Sequence, residues 1–525
     1  MNQFNKLNKI LGWLVFFIAL TTYTLTMEKT GSLWDCGEFL SCTYKLQVAH
    51  PPGAPFFMLV GKIFSLFSFG DITKVAQSIN FLSALSTAFC TLFFFWSAVM
   101  LLKQAFLKKG EEMTSMKSNL ILYGSFIGAL GATFLDSMWF NALEGEVYAF
   151  SVFFMAFNVW AILKWNEDDS PKADYWLLLI ALCTGMSIGV HLLSLLVFPI
   201  IALIFYYKRF KPTLLGAFIS FVISVVLIQV VMKVVLSMTS SFLGKMDLLF
   251  VNSFETPFYT GTIFGILIII FIFFYIIKLT DGRRSFPFWS ENVTKIPLNT
   301  VILFFAFLLM GYTSYFMVVI RANANLPINM NVPDNFITLK SYIDREQYGD
   351  RPLLFGPHYY DVQEVEAVED KSDIYIKNNE TKKYELVGTN KQYKYPSRVK
   401  KFFPRVGHEG DDKKSFYRAW IDPKSEIIDR STGNSVQTFD RGQAEQAEQT
   451  AQQMNGTSGQ QQYVVKDKVS FVDNVLYMIK YQIGFMYFRY MMWNTAGRVD
   501  DHQGRATNDY GRWTSGIGMI DKLVG

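Results

Sequence analysis

The chain has 525 residues, of which 51% are hydrophobic and 17% aromatic but only 18% charged. Soluble domains carry roughly 25% charged residues, so a uniformly water-soluble protein is excluded. The 50 Phe against 16 Pro exclude a disordered or collagenous chain, and a net charge of +5, scattered along the chain, excludes a nucleic-acid surface.

Apolar residues crowd into the first 320 positions, and most of the charge follows them. A spanning helix needs about 20 mostly apolar residues. Nine stretches meet or approach that length, at about 9–27, 77–102, 119–136, 140–163, 175–190, 192–207, 213–236, 259–278 and 299–320. No small-residue cleavage site follows the first, so an uncleaved helix is expected rather than a signal peptide. With Lys6 and Lys9 in the cytoplasm, the inner segments hold fifteen Lys and Arg and the outer loops before residue 321 hold five. That is the bias of the positive-inside rule, and nine spans then place everything after residue 320 outside the cytoplasm.

Along the chain, the first outer loop contains Asp35 and Glu38, three apart and so on one face of a helix. His50 follows, just before Pro51-Pro52-Gly53, which ends any helix and sets a turn. Residues 54–69 are apolar but short and contain Lys62, which suits an interfacial or re-entrant helix. The next outer loop brings Asp136, Glu144, Glu146 and Tyr148; His191 sits at the following outer turn, and Arg321 follows the ninth span. Glu144 and Glu146 also suit helix-start acids, His191 an interfacial histidine, and Arg321 a snorkelling anchor. Their convergence on one side favours a site, because acids at a membrane rim are costly unless they line a cavity or do work.

Residues 321–525 are mostly polar. The Gln-rich stretch 441–462 reads as a mobile linker, and 471–493 as an apolar helix packed on the domain or lying at the membrane surface. Runs such as YIKN, YELVG and QYVVKD alternate with turns, giving a mixed α+β region. Cys36 and Cys42 could pair, but spacing leaves this open. No CxxC or Cys/His cluster points to a metal, and no cofactor is identified.

A rim cleft of acids and a few cations suits group transfer from a lipid-linked donor. A carboxylate can take the proton of an acceptor hydroxyl, and carboxylates favour an oxocarbenium-like sugar. A departing phosphate needs a cation, for which Arg321, Lys62 and His191 are candidates.

WDCGEF…YKLQVAHPPGAP resembles the pattern D-S/C-G-E-F…Y-K-L-x-x-A-H-P-P-G-x-P of the multi-spanning family labelled domain of unknown function 2723. That family is grouped with protein O-mannosyltransferase-like glycosyltransferases of the GT-C architecture and is common in Bacteroidetes. EGEVYAF, GMSIGVHLLSLLVFP, IRANANLPINMNVPDNFITLKSYIDREQYGDRPL and RYMMWNTAGR extend the resemblance. It implies a polytopic α-helical, GT-C-like membrane domain over 1–320 and an extracytoplasmic region over 321–525. Asp35 would be catalytic, with Glu38 as its partner or a substrate ligand. His50, Glu144, Glu146, Tyr148 and His191 would line the cleft, and Arg321 would hold the carrier phosphate. Arg345, Glu346 and Tyr348 would close the cleft from the soluble side. The donor implied is a polyprenyl-phosphate sugar and the acceptor a hydroxyl of an exported protein, in a bacterial inner membrane. A transporter or flippase is the first alternative, but it expects charges or broken helices at mid-membrane. A non-catalytic envelope scaffold is the second.

Overall fold

The computed structural model describes residues 2–108, 110–280, 298–349, 354–358, 365–402, 411–456, 462–503 and 510–524. Lys109, Arg283, Arg284 and Lys295, four of the basic residues assigned to inner segments, lie outside the described residues. The chain forms two compact units, Met1–Tyr348 with Tyr375–Leu386, and Gly349–Ile374 with Val387–Gly525. The sequence places this boundary at 320/321. It falls later because the helix Phe336–Ile343 buries Phe336, Leu339 and Tyr342 in the core of the first unit.

The first unit begins with α1 (Asn2–Thr26), α2 (Cys36–Lys45) and α3 (Pro55–Ser65). α2 is short because Leu46 closes it in the left-handed conformation, and α3 restarts at Pro55, a residue suited to a first helical position. α4 (Val75–Phe106), α5 (Ser115–Thr133), α6 (Asp136–Ala142), α7 (Val147–Glu167), α8 (Tyr175–Ile188) and α9 (Phe198–Arg209) follow. α10 (Leu214–Val230) runs through a π-helical turn into α11 (Thr239–Phe254), a continuous helix of 41 residues. α12 (Thr260–Thr280), α13 (Leu298–Tyr312), α14 (Tyr315–Ala322) and α15 (Phe336–Ile343) complete the unit.

Among the described residues seven helices are long and apolar enough to cross a membrane, or eight if the pair α5–α6 is one span bent by 62°. The chain is a multi-pass membrane protein. Two of the nine expected spans account for the difference. The stretch 119–136 runs into the α5–α6 bend, and α8 has only 14 residues, about 21 Å of helix against roughly 30 Å of hydrocarbon. α8 is instead held by α13. A Cβ on Gly185 would collide with the Leu308 carbonyl, and one on Gly311 would stand 2.5 Å from the Leu182 carbonyl. Small residues let the two backbones touch.

The C-terminal region is α+β. β1 (Phe355–Pro357) pairs antiparallel with β4 (Lys400–Phe402), and β2 (Ala367–Asn378) with β3 (Lys383–Lys394). α16 (Asp411–Ile421) precedes an antiparallel sheet in the order β6 (Ser435–Phe439), β5 (Lys424–Asp429), β7 (Tyr463–Lys468). The Gln-rich stretch is a correction: α17 (Ala444–Asn455) is an ordered helix, because Ala447 and Ala451 recur one turn apart and pack on Ile427 and Phe439. Residues 457–461 lie outside the described residues. The apolar stretch 471–493 is helical from α18 (Phe471–Tyr477) through a π-helical stretch to α19 (Tyr490–Thr495), and Tyr477 packs on Tyr417. The short pair β8 (Gly497–Arg498) and β9 (Trp513–Thr514) precedes α20 (Gly518–Val524).

Candidate active site

α2 presents the first two acids. Asp35 is its N-cap residue and Glu38 lies in its first turn, so both carboxylates share a face. The Asp35 side chain makes no capping bond and stays 57% exposed. Glu38 turns onto the following loop, where one oxygen accepts the His50 backbone N–H at 2.6 Å and the other lies 3.1 Å from His50 Nδ1. His50 Nε2 then faces Asp35 Oδ2 at 3.9 Å. The turn behind His50 is tight: Gly53 has φ +69° and donates its N–H to the His50 carbonyl at 2.8 Å. A Cβ there would stand 2.5 Å from the Tyr342 hydroxyl, whose proton goes to the Ala49 carbonyl. Tyr342, fully buried, therefore fixes the turn that carries His50, a role that no spacing in the sequence signals.

The loop before α7 supplies two more acids. Ser32 donates its hydroxyl proton to Glu144, and the Glu28 N–H donates to the Leu143 carbonyl at 3.0 Å, so this loop is tied to the one before α2. Gly145 allows the approach, since a Cβ would lie 2.8 Å from both Leu40 and Asn80. Glu144 and Glu146 are 4% and 9% exposed. Burial pushes both carboxyls up. The Glu146 group reaches about 7, with the charges of Glu144 and Asp35 adding to burial. Asp35 and Glu146, from separate loops, thus share one electrostatic environment.

His191 arrives from the turn after α8. Its Nδ1 accepts the Leu193 N–H at 3.0 Å, which puts the ring proton of the neutral form on Nε2. Burial lowers its pKa, and the Arg345 charge lowers it further, which favours the neutral ring. Tyr148 packs on it with ring centroids 5.2 Å apart. The Gly189 carbonyl accepts the Phe56 N–H at 2.7 Å, joining this turn to the start of α3. The Arg345 guanidinium lies over the Tyr348 ring at 4.7 Å.

Three of the expected residues point elsewhere. Lys62 donates to the Tyr44 carbonyl, and Arg321 donates to the carbonyls of Leu46 at 2.6 Å and Lys45 at 3.0 Å. Both cations therefore sit at the C-terminal end of α2, a helix of about 15 Å whose other end carries the acids. Glu346 binds Lys340 at 2.6 Å and Ser341 at 2.7 Å. Cys36 and Cys42 are both free and buried, which closes the question of their pairing. Asp35, Glu38 and His50 each offer an atom within 4.8 Å of the others, a grouping that could hold a metal ion. The sequence does not suggest it, because no ligand spacing in the chain announces it.

Comparison with known proteins adds kinship to this geometry. Residues 35–214 match the N-terminal domain of protein O-mannosyl-transferase TMEM260. The matched O-mannosyl-transferase segment begins at Asp35 and includes Glu38, His50, Glu144, Glu146, Tyr148 and His191, while Arg321 and Arg345 lie beyond it. Residues 349–479 match a family of unknown function, DUF8416. Protein O-mannosyl-transferase tmem260 of Dictyostelium discoideum is 25% identical over 171 residues, 31% of this chain and 18% of that protein. Its Mus musculus namesake is 26% identical over 159 residues, 30% of this chain and 20% of that protein. The matches span about a fifth of the length of these curated relatives. They support the resemblance to O-mannosyl-transferases and carry neither the 2723 label nor a Bacteroidetes origin. No solved structure matches.

Proposed function

We propose that the chain is a membrane glycosyltransferase of GT-C-like fold. It moves a mannose-like sugar from a polyprenyl-phosphate carrier to a hydroxyl of an exported protein or glycan, at the periplasmic face of a bacterial inner membrane. The observation that carries this reading is the convergence of Asp35, Glu38, His50, Glu144, Glu146, Tyr148 and His191 from three loops inside the segment that matches O-mannosyl-transferases. The bias of basic residues toward the other loops supports the assignment of sides.

In this reaction the acceptor hydroxyl oxygen attacks the anomeric carbon and inverts it. Its proton passes to Asp35, the exposed carboxylate, as general base. The bond from the anomeric carbon to the carrier's phosphate oxygen breaks, and the phosphate leaves with the electron pair. Neighbouring carboxylates favour the positive charge that develops on the sugar. Glu146, protonated below about pH 7, is able to donate a hydrogen bond to a sugar hydroxyl. Arg345 and Tyr348 stand at the His191 side of the cleft.

Asp35→Asn tests the reading. In membranes supplied with a lipid-linked mannose donor, transfer should fall by about 10²–10⁴-fold, the usual worth of a general base, with expression unchanged. Undiminished transfer would remove Asp35 from the chemistry.

A further inference from the structure

We propose that Asp35, Glu38 and His50 form a binding site for a divalent transition-metal cation, with His50 Nε2 and one oxygen of Asp35 as ligands and Glu38 orienting the imidazole. Glu38 accepts from the His50 backbone N–H and faces Nδ1 at 3.1 Å. This is the carboxylate–histidine arrangement that holds a ring in one tautomer and aims its other nitrogen at a metal. Nε2 and Asp35 Oδ2 are 3.9 Å apart, too far for a hydrogen bond. Two ligands each about 2.1 Å from a shared ion are separated by a gap of that order. The imidazole suits Zn²⁺ and the carboxylate suits Mn²⁺, so the mixed donor set takes either ion.

Two further acids share this electrostatic environment. Glu144 and Glu146 are 4% and 9% exposed, and the field of Asp35 reaches Glu146. Buried carboxylates need a hydrogen-bond or cationic partner; Glu144 accepts from Ser32 and shares a hydrogen bond with Glu146. Among the described residues no Lys or Arg forms an ion pair with Asp35, Glu38, Glu144 or Glu146. The two basic side chains that the sequence offers for a carrier phosphate, Lys62 and Arg321, are committed to backbone carbonyls. A divalent ion at His50 would balance the acids and supply the positive charge that the phosphate needs. Only that second role rests on the proposed transfer reaction; binding of the ion does not.

The test uses the full chain purified in detergent, with Mn²⁺ alone as the probe and the electron paramagnetic resonance signal of free Mn²⁺ as the readout. One saturable, chelator-reversible ion per chain is expected. Affinity should fall at least tenfold in His50→Gln and Asp35→Asn, and about 10–100-fold in Glu38→Gln, the usual effect of losing an orienting partner. Absence of a one-equivalent site in the wild type, or wild-type affinity in His50→Gln, overturns the proposal. A second measurement avoids variants: Mn²⁺ should slow diethylpyrocarbonate modification of His50 in the wild-type protein, and an unchanged rate also overturns it. Ion binding without sugar transfer leaves the metal site standing and removes the transfer reading. Transfer by protein with no Mn²⁺ site does the reverse.

Discussion

Burial, the charge of Glu144 and the charge of Asp35 together raise the Glu146 carboxyl to about 7. The folded chain therefore holds a proton that the unfolded chain releases at the ordinary glutamate value. Between that value and about 7 the folded state binds more protons, so stability falls as pH rises through this window and levels off above it. Glu146→Gln keeps the shape without the charge and should lack this slope. At pH 5 its melting temperature should match the wild type, and at pH 8 it should lie higher, by on the order of 2 °C. A parallel offset at both pH values would show that Glu146 is not protonated in the folded state at pH 5. The sequence shows that Glu144 and Glu146 lie near the membrane rim. Their burial depends on Ser32 and on the missing side chain of Gly145, contacts between distant segments that no local pattern records.

At the scale of the element, α2 is held at both ends. Its acids face the His50 loop, and Lys62 from α3 and Arg321 from α14 cover its last carbonyls, where a cation also complements the helix dipole. This arrangement separates two roles for Arg321 that look alike in sequence. As a clamp, it acts through the placement of Asp35 and Glu38. Arg321→Met should then cost about 1.5–3 kcal/mol of stability, the worth of charge-assisted hydrogen bonds, and lower kcat with little change in donor KM. As a phosphate ligand it would raise donor KM first, so a KM effect without a kcat effect would defeat the clamp reading. The i,i+3 spacing of Asp35 and Glu38 and the turn at Pro51-Pro52-Gly53 were legible because they are local. The partner of Arg321, some 275 residues away, was not. Topology can place a side chain on a face, but it cannot say which carbonyl lies within reach. The same limit explains α17: a Gln-rich composition suggests mobility, while the one-turn spacing of Ala447 and Ala451 decides for a packed helix.

For the whole molecule, the sequence located the seven long apolar helices because hydropathy over about 20 residues is a strong signal. Two further expected spans are marginal in length, the α5–α6 bend and α8. These two decide on which side each loop lies, and a labelling experiment separates them. Cys36, Cys42, Cys90 and Cys183 are all buried, so the wild-type background is low. Single cysteines at Lys29, Lys172, Lys211 and Thr432 occupy exposed positions. If α5–α6 crosses the bilayer, Lys172 lies opposite Lys29, with three crossings between them. If α8 also crosses, Lys211 returns to the side of Lys172, and Thr432 lies on the side of Lys29. The basic residues around Lys172 and Lys211 favour this arrangement. A membrane-impermeant maleimide should therefore label Lys29→Cys and Thr432→Cys in intact cells, and Lys172→Cys and Lys211→Cys only after permeabilisation. Labelling of Lys172→Cys from outside would make α5–α6 a re-entrant hairpin. Protected Lys172→Cys with labelled Lys211→Cys would keep α8 from crossing and put the region after α14 in the cytoplasm, against the hydrogen bonds that tie Arg321 and Tyr342 to the loop of His50.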